Sequence, residues 1–194
     1  MQGAKTNLTS WNWHRMRIAV AMSACLFVST LLSVPAMAQS AAAPAQLVVL
    51  EPLSLVKVKD LDFGQIIVNG AGTVVLNPTG SGTCTASGNL VRSGTCKPAE
   101  FAGLGSTGRF VRVRRPASNS ITLTGPGTNM TVTNLQLDAS PDLQLWFQLG
   151  RGYYYRIVSP DGSFDFRVGG TLNVAAGQAP GVYTGTFDVD INYY

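Results

Sequence analysis

Few residues of this chain have the chemistry that a catalytic or metal-binding site requires. The sequence contains one histidine, His14, and three cysteines, Cys25, Cys84 and Cys96. His14 and Cys25 lie within the first 38 residues, a segment with the layout of a cleaved signal peptide. Without a histidine, the rest of the chain cannot form a Ser-His-Asp or Cys-His catalytic site or a histidine-ligated zinc site.

Carboxylates offer another route to catalysis, because a pair of them can hydrolyse a glycosidic bond. Asp60, Asp62, Asp188 and Asp190 each alternate with apolar residues, so we expect them on the solvent-facing side of strands. Asp161 precedes a glycine in a turn pattern, and the residues after it do not match a calcium-binding loop. We therefore predict no catalytic residue, no metal site and no cofactor, and we expect the protein not to be an enzyme.

Cys84 and Cys96 are the two cysteines that follow the signal segment, and we predict a disulfide between them. In an oxidising compartment two such cysteines usually join. A disulfide that closes so short a loop stabilises the fold by about 3 kcal/mol. The alternative, a redox-active pair, is disfavoured because the spacing is not Cys-x-x-Cys.

Four arginines lie close together in the middle of the chain: Arg109, Arg112, Arg114 and Arg115. Arg112 and Arg114 share one face of a predicted strand, while Val111 and Val113 take the other. The simplest interpretation is a solvated strand face whose charges discourage unwanted edge pairing. The functional alternative is a contact site for an anionic polysaccharide or lipid head group, because guanidinium groups bind carboxylates and phosphates.

Trp146 and Tyr154 form a second candidate ligand surface. In the predicted strands both fall on the face opposite the leucines and the other tyrosines. Exposed aromatic side chains beside Arg151 and Arg156 would suit carbohydrate stacking or a subunit contact. The alternative is that sheet packing covers both rings.

The N-terminal residues predict export. Three basic and no acidic residues stand in the first 17, an apolar stretch covers 18–34, and small residues at Ala36 and Ala38 suit a signal peptidase. We predict a signal peptide over residues 1–38 and a destination in the periplasm, at the cell surface or outside a Gram-negative bacterium. An uncleaved membrane anchor is the alternative, since 17 apolar residues lie near the lower limit for a spanning helix.

Removal of this segment leaves a nearly neutral chain. All ten acidic residues remain while three of the fourteen basic residues are lost, so the net charge becomes about +1. The formal charge of +4 of the full chain therefore does not indicate a nucleic-acid partner, and we predict none. The remaining 156 residues correspond to one domain large enough to bury a core.

Alternation of apolar and polar residues dominates this domain. The clearest case is the C-terminal run, where Phe187, Val189, Ile191 and Tyr193 point to one side and polar residues to the other. Similar runs, separated by turns rich in glycine and proline, cover residues 74–76, 121–124, 143–149, 153–157 and 164–174, the last with a break at Gly169-Gly170. The pattern predicts an all-β domain, an antiparallel β-sandwich of about seven to nine strands, with a barrel as the alternative.

Residues 39–52 differ from the domain that follows over 53–194, and we predict that they form a flexible leader. The leader contains an apolar patch, Leu47-Val48-Val49-Leu50, just before the domain. Such a patch could pair with an exposed sheet edge on another copy of the chain. The alternative is that residues 47–50 form the first strand of their own sandwich.

Several segments resemble a bacterial secreted family that is catalogued only as a domain of unknown function, number 4402. They are residues 61–64 (LDFG), 72–76 (GTVVL), 168–174 (VGGTLNV) and 180–193 (PGVYTGTFDVDINY). The resemblance spans most of residues 53–194. The segment around Cys84 and Cys96 resembles an insertion relative to the family, so the family pattern does not imply the disulfide.

The C-terminal pattern Gly-x-Tyr-x-Gly-x-Phe, at residues 181–187, is also similar to spore-coat-U-like and other chaperone–usher pilin subunits. In those families an incomplete immunoglobulin-like sandwich leaves a groove that a strand of a partner fills. The resemblance implies such a sandwich here, with an assembly strand formed by Phe187, Val189, Ile191 and Tyr193. It also implies assembly with other copies or related subunits, with the help of a periplasmic chaperone and an outer-membrane usher.

The leading functional hypothesis is therefore an exported structural subunit of a cell-surface fibre or coat, assembled by β-strand exchange. The alternative is a self-contained surface adhesin or carbohydrate-binding module. In that case Arg112, Arg114, Trp146 and Tyr154 would contact surface glycans.

Overall fold

The structure, a computed structural model, describes residue 44 and residues 46–194. The predicted signal peptide over residues 1–38 lies outside the described residues. Residues Gln46–Tyr194 form one compact unit of contacts. The described part of the chain contains no helix of the length and hydropathy that crossing a bilayer requires.

The described residues form eleven strands, all antiparallel to their partners, so the predicted all-β sandwich is confirmed. In chain order they are β1 Ser54–Lys59, β2 Gln65–Asn77, β3 Thr83–Ser93, β4 Ala99–Leu104, β5 Phe110–Arg114, β6 Ile121–Leu123, β7 Met130–Asp138, β8 Leu143–Leu149, β9 Gly152–Ile157, β10 Ser163–Val174 and β11 Asp190–Tyr193. The count exceeds the predicted seven to nine. β3 and β4 are rich in Thr, Ser, Gly and Ala and show weak alternation, so their strand structure depends on pairing with neighbours.

The larger sheet contains seven strands arranged around β10. One edge of β10 pairs with β7, which in turn pairs with β6. The opposite edge pairs with β4 through residues 163–168 and with β2 through residues 170–174. β1 then flanks β4, and β3 flanks β2. The pairs β4–β1 and β2–β3 therefore lie one after the other along the same edge of β10.

The smaller sheet has four strands in the order β11-β5-β9-β8. Its inward side chains meet those of the larger sheet in a first apolar cluster that includes Val111, Tyr155, Phe101 and Phe166. The rings of Phe101 and Phe166 stack with centroids 5.2 Å apart. This cluster forms the core between the two layers, as expected for a sandwich.

A second apolar cluster lies on the larger sheet alone. Its buried members come from β2, β3, β6, β7, β10 and the β1–β2 connection: Phe63, Val74, Leu76, Leu90, Ile121, Val132, Leu135, Leu172 and Val174. Within the described residues, no strand of the smaller sheet contributes a buried side chain to it. Leu61 and Phe187 pack against both clusters and connect them. One end of the sandwich therefore has a core with only one full layer of strands.

The predicted break at Gly169-Gly170 is wrong, because β10 runs through it without interruption. A Cβ atom at residue 169 would lie 2.3 Å from the carbonyl oxygen of Leu76 on β2. At residue 170 it would lie 2.9 Å from a methyl group of Val132 on β7. The two glycines therefore allow three strands to approach closely, which is a common reason for glycine inside a strand.

The C-terminal strand is shorter than predicted. Side chains alternate between half-buried and exposed as expected, with Phe187, Val189, Ile191 and Tyr193 turned inward. However, strand pairing begins only at Asp190, and residues 185–189 belong to no strand. The physical reason is that β5, the partner of β11, ends at Arg114 opposite Asp190. β6 lies against Gly185, where an added Cβ would come within 2.2 Å of the Thr122 carbonyl oxygen, but no strand of the described chain pairs with residues 185–189.

The disulfide between Cys84 and Cys96 is present, with Cα atoms 6.3 Å apart. Cys84 lies on β3, an outer strand of the larger sheet, and Cys96 precedes β4. Both half-cystines pack against the second apolar cluster. The bond therefore ties an outer strand to the segment that leads back to the middle of the sheet.

Candidate functional site

A groove of about 980 Å³ opens at the end of the sandwich that holds the second apolar cluster. One wall runs from the end of β1 into β2, over residues 57–68. The other wall is the C-terminal segment over residues 178–187. The floor is apolar and consists of core side chains of the larger sheet and its edges: Ala99, Phe101, Ile121, Leu123, Met130, Leu172 and Val174. The groove therefore reaches the hydrophobic core directly.

Both walls carry main chain that has no strand partner. β1 pairs with β4 on one side, and no other strand of the described chain pairs with its opposite edge. On the other wall, the backbone of Thr184 exchanges two hydrogen bonds with that of Thr124, of 2.8 and 2.9 Å. Between that bridge and Asp190 the described chain shows no backbone hydrogen bond to residues 185–189. Unpaired edges are where another extended segment can add its own hydrogen bonds.

The C-terminal wall is nevertheless held in place at its start. The Tyr183 hydroxyl donates to the Ala179 carbonyl oxygen over 2.9 Å and accepts from the Gly127 N–H over 3.1 Å. Its ring lies against Gly125, where an added Cβ would come within 2.4 Å of a ring carbon. These contacts fix the segment against the turn between β6 and β7. The groove is therefore bounded by an anchored wall.

Gln178 is an incompletely bonded polar side chain in this groove. It is 8 % exposed, and its Nε2 donates to the Thr128 carbonyl oxygen. Its Oε1 atom is buried and has no hydrogen-bond partner among the described residues. A buried acceptor without a donor costs free energy.

The leader lies outside every strand. Leu47, Val48, Val49 and Leu50 are 88 %, 61 %, 84 % and 37 % exposed. The interpretation of residues 47–50 as the first strand of their own sandwich is therefore wrong, because strand pairing starts only at residue 54. An exposed run of four apolar residues is unusual on the surface of an isolated protein.

The chain fixes the base of the leader at Glu51. The Glu51 N–H donates to Ser106 Oγ over 2.7 Å, and its carbonyl oxygen accepts from the Tyr193 hydroxyl over 2.7 Å. Leu53 then packs against the first apolar cluster. The apolar patch therefore projects from a defined point on the domain.

The two predicted ligand surfaces lie together on the outer face of the smaller sheet. Arg112 and Arg114 alternate with the fully buried Val111 and Val113, as predicted. Trp146 is 61 % exposed. Tyr154 is on the same outer face but is only 8 % exposed, because neighbouring aromatic rings cover it. The expectation that Tyr154 is exposed is therefore wrong, and Trp146 is the accessible ring of the pair.

Arg115 has a structural position instead. Its Nη1 donates to the Leu135 carbonyl oxygen over 2.6 Å and to Asn119 Oδ1 over 2.8 Å. Its guanidinium also lies over the Tyr153 ring, 5.0 Å from the centroid. These contacts clamp the end of β5 to the larger sheet. Arg115 is therefore separate from the surface formed by Arg112 and Arg114.

The carboxylates are dispersed over the fold. Asp62 was expected on a strand but lies in the β1–β2 connection, where it accepts a 2.8 Å hydrogen bond from the Gly64 N–H. Burial raises the pKa of Asp165, and the Arg167 guanidinium 2.8 Å away opposes this in part. A hydrogen bond from the Ser163 hydroxyl lowers the pKa of Asp161. Over residues 46–194, no three side chains of His, Cys, Asp or Glu are placed to hold a metal ion.

The resemblance to pilin subunits implied a groove, but the periodicity of the sequence did not locate it. Its walls are far apart in the chain, and periodicity describes each wall but not their proximity. The available signal was the family resemblance, because the segments at 61–64 and 180–187 that carried it both border the groove.

Comparison with known proteins gives one match. Neither the curated proteins nor the solved structures contain a significant relative of this chain. Residues 53–193 match the model of a protein family described as a domain of unknown function, DUF4402. The match covers all eleven strands, and it leaves out only residues before 53 and the last residue, Tyr194. The protein is thus a member of the DUF4402 family.

Proposed function

We propose that the chain is an exported, non-enzymatic structural subunit of a cell-surface fibre or coat, in which the leader of one copy fills the groove of the next. The observation that carries this proposal is the groove, whose two walls have unpaired main chain and whose floor is the apolar core. A single extended segment laid between β1 and residues 185–189 would satisfy both edges. It would also give the second apolar cluster its missing layer.

The leader has the composition that such a segment needs. In an extended chain Leu47 and Val49 point to one side, and they are the most exposed side chains of the apolar patch. If this side faces the groove floor, burial of each of the two side chains would stabilise the complex by about 1.5–3 kcal/mol. The main-chain N–H groups of the incoming strand would offer donors to the unpaired carbonyl oxygens of the two walls.

The similarity of residues 181–187 to spore-coat-U-like and chaperone–usher subunits supports the same mechanism. Exposed edges and an open core are aggregation hazards for a newly exported protein. Partners of this subunit are therefore other copies or related subunits, and a periplasmic chaperone that occupies the groove until an outer-membrane usher delivers the leader of the next subunit.

The proposal can be tested with the chain from residue 39 that carries Leu47→Asp and Val49→Asp. This variant keeps the groove but cannot use its own leader. A synthetic peptide of residues 44–53 should bind it at micromolar concentration and raise its melting temperature by several degrees, because a ligand that binds only the folded state stabilises it. Isothermal titration calorimetry and thermal denaturation measure both effects.

Two controls separate strand insertion from general stickiness. The same peptide with aspartate at positions 47 and 49 should not bind. Adding Leu149→Asp, an exposed side chain on β8 of the smaller sheet that does not line the groove, should leave binding of the native peptide unchanged. A parent protein that stays monomeric in light scattering and ignores 100-fold excess peptide would contradict strand exchange.

A further inference from the structure

The outer face of the smaller sheet carries five aromatic side chains in mutual contact, none of which lines the groove. Phe147 stacks on Tyr154 with centroids 4.2 Å apart, and Trp146 lies 5.0 Å from Phe147 and 4.8 Å from Phe110. Tyr194 meets Tyr154 edge-on at 4.7 Å. We call these five residues the aromatic platform. Its most accessible rings are Trp146 and Tyr194, at 61 % and 66 % exposure.

An irregularity in β8 creates the platform. The pairing of β8 with β9 shifts between Leu145 and Phe147, which leaves Trp146 without a partner on β9. The shift turns Phe147 from the leucine side, where simple alternation puts it, to the outer side opposite Tyr154. A bulge of this kind re-aims side chains and is common near binding sites. Its effect here is to place two consecutive aromatic rings on one face.

Arginines surround these rings. Arg112 lies between Asn192 and Tyr154 on the neighbouring strands. In the same register, Arg114 is opposite Asp190 and Arg156 is opposite Phe110. Asp190 is the single acidic residue at the paired positions of this outer face within the described strands. The described residues give neither Arg112 nor Arg114 an ion pair, and the Nε atom of Arg112 is buried without a hydrogen-bond partner. The face therefore has unneutralised positive charge next to an apolar platform.

We propose that this face binds an acidic polysaccharide. An aromatic ring such as Trp146 can stack on the C–H face of a sugar, while Arg112 and Arg114 pair with its carboxylate or sulfate groups. The amides of Asn192 and Gln144 lie on the same outer face and can bond the hydroxyls. A neutral glycan would leave the arginines unpaired. The inference is independent of strand exchange, because the groove and the platform share no residue.

The test measures binding of polygalacturonate, with uncharged dextran as the neutral comparison. In the chain from residue 39, which contains the whole compact unit, Trp146 is the single tryptophan. Its fluorescence should therefore change on titration with polygalacturonate and stay constant with dextran. The Trp146→Ala substitution should weaken binding about tenfold, as measured by calorimetry. Because the ring is exposed, the melting temperature of this variant should stay near that of the parent.

The charge contribution is tested with Arg112→Gln combined with Arg114→Gln. This variant should also bind about tenfold more weakly and lose most of the dependence of binding on salt concentration. Arg92→Gln, an arginine change on β3 of the other sheet, is the matched control and should alter binding less than twofold. Equal binding of dextran, equal loss in the control, or preference for phosphatidylglycerol vesicles over polygalacturonate would overturn the proposal.

Discussion

At the scale of single residues, Tyr155 shows how the smaller sheet buries a polar group. The side chain is 3 % exposed in the first apolar cluster. Burial, with smaller contributions from Tyr153 and Asp138, raises the pKa of Tyr155 well above its ordinary value. The neutral phenol is therefore the form that the folded protein accepts.

This predicts a loss of stability at alkaline pH that depends on one side chain. Because the folded pKa of Tyr155 is raised, its contribution is complete below the unfolded pKa of about 10 and is lost as the pH rises toward the folded pKa. Tyr155→Phe should therefore lose less unfolding free energy than the parent between pH 9 and pH 11. Urea denaturation at several pH values measures this. The exposed Tyr194→Phe should follow the parent, and an equal decline in both variants would contradict the prediction.

At the scale of elements, close approach of strands in the larger sheet depends on β10. Gly169 faces the Leu76 carbonyl oxygen so closely that any side chain must push β2 away. We expect Gly169→Ala to lower the unfolding free energy by about 1–3 kcal/mol, the usual cost of overpacking. Gly152→Ala is the control, because its Cβ would meet nothing nearer than 3.3 Å. The two urea midpoints should differ; equal midpoints would show that β2 moves without cost.

The strands show what a sequence can and cannot predict. Alternation is a local property, so the paired strands β8 and β9, the inward side of residues 187–193 and the valines of β5 followed directly from the sequence. Pairing is not local. The irregularity at Trp146 depends on how β9 matches β8, and the unpaired state of residues 185–189 depends on where β5 ends. The buried state of Tyr154 follows from that irregularity, so it could not be predicted either.

At the scale of the whole molecule, the disulfide joins parts of the larger sheet that lie around the groove end. Cys84 and Cys96 both contact the second apolar cluster, which has one full layer of strands. The position of the groove could not be predicted, because its walls come together only when β1 and the C-terminal segment dock on the same core.

We expect loss of this disulfide to destabilise the domain more than an ordinary surface change does. Replacing both Cys84 and Cys96 with alanine should lower the unfolding free energy by about 3 kcal/mol, since the unfolded chain gains the freedom of the opened loop. Guanidinium denaturation of the variant and of the oxidised parent measures the difference. The reduced parent should behave like the variant, and an unchanged midpoint in either would argue against a stabilising role.

The leader and the groove are two different surfaces of one polypeptide, and this has a consequence for any polymer that they form. A contact that joins unlike surfaces gives a head-to-tail array that grows open-ended unless its rotation closes a ring. Such a filament is polar, with a vacant acceptor at one tip and a bare donor at the other. Its length would then depend on the supply of subunits and on any subunit that lacks one of the two surfaces.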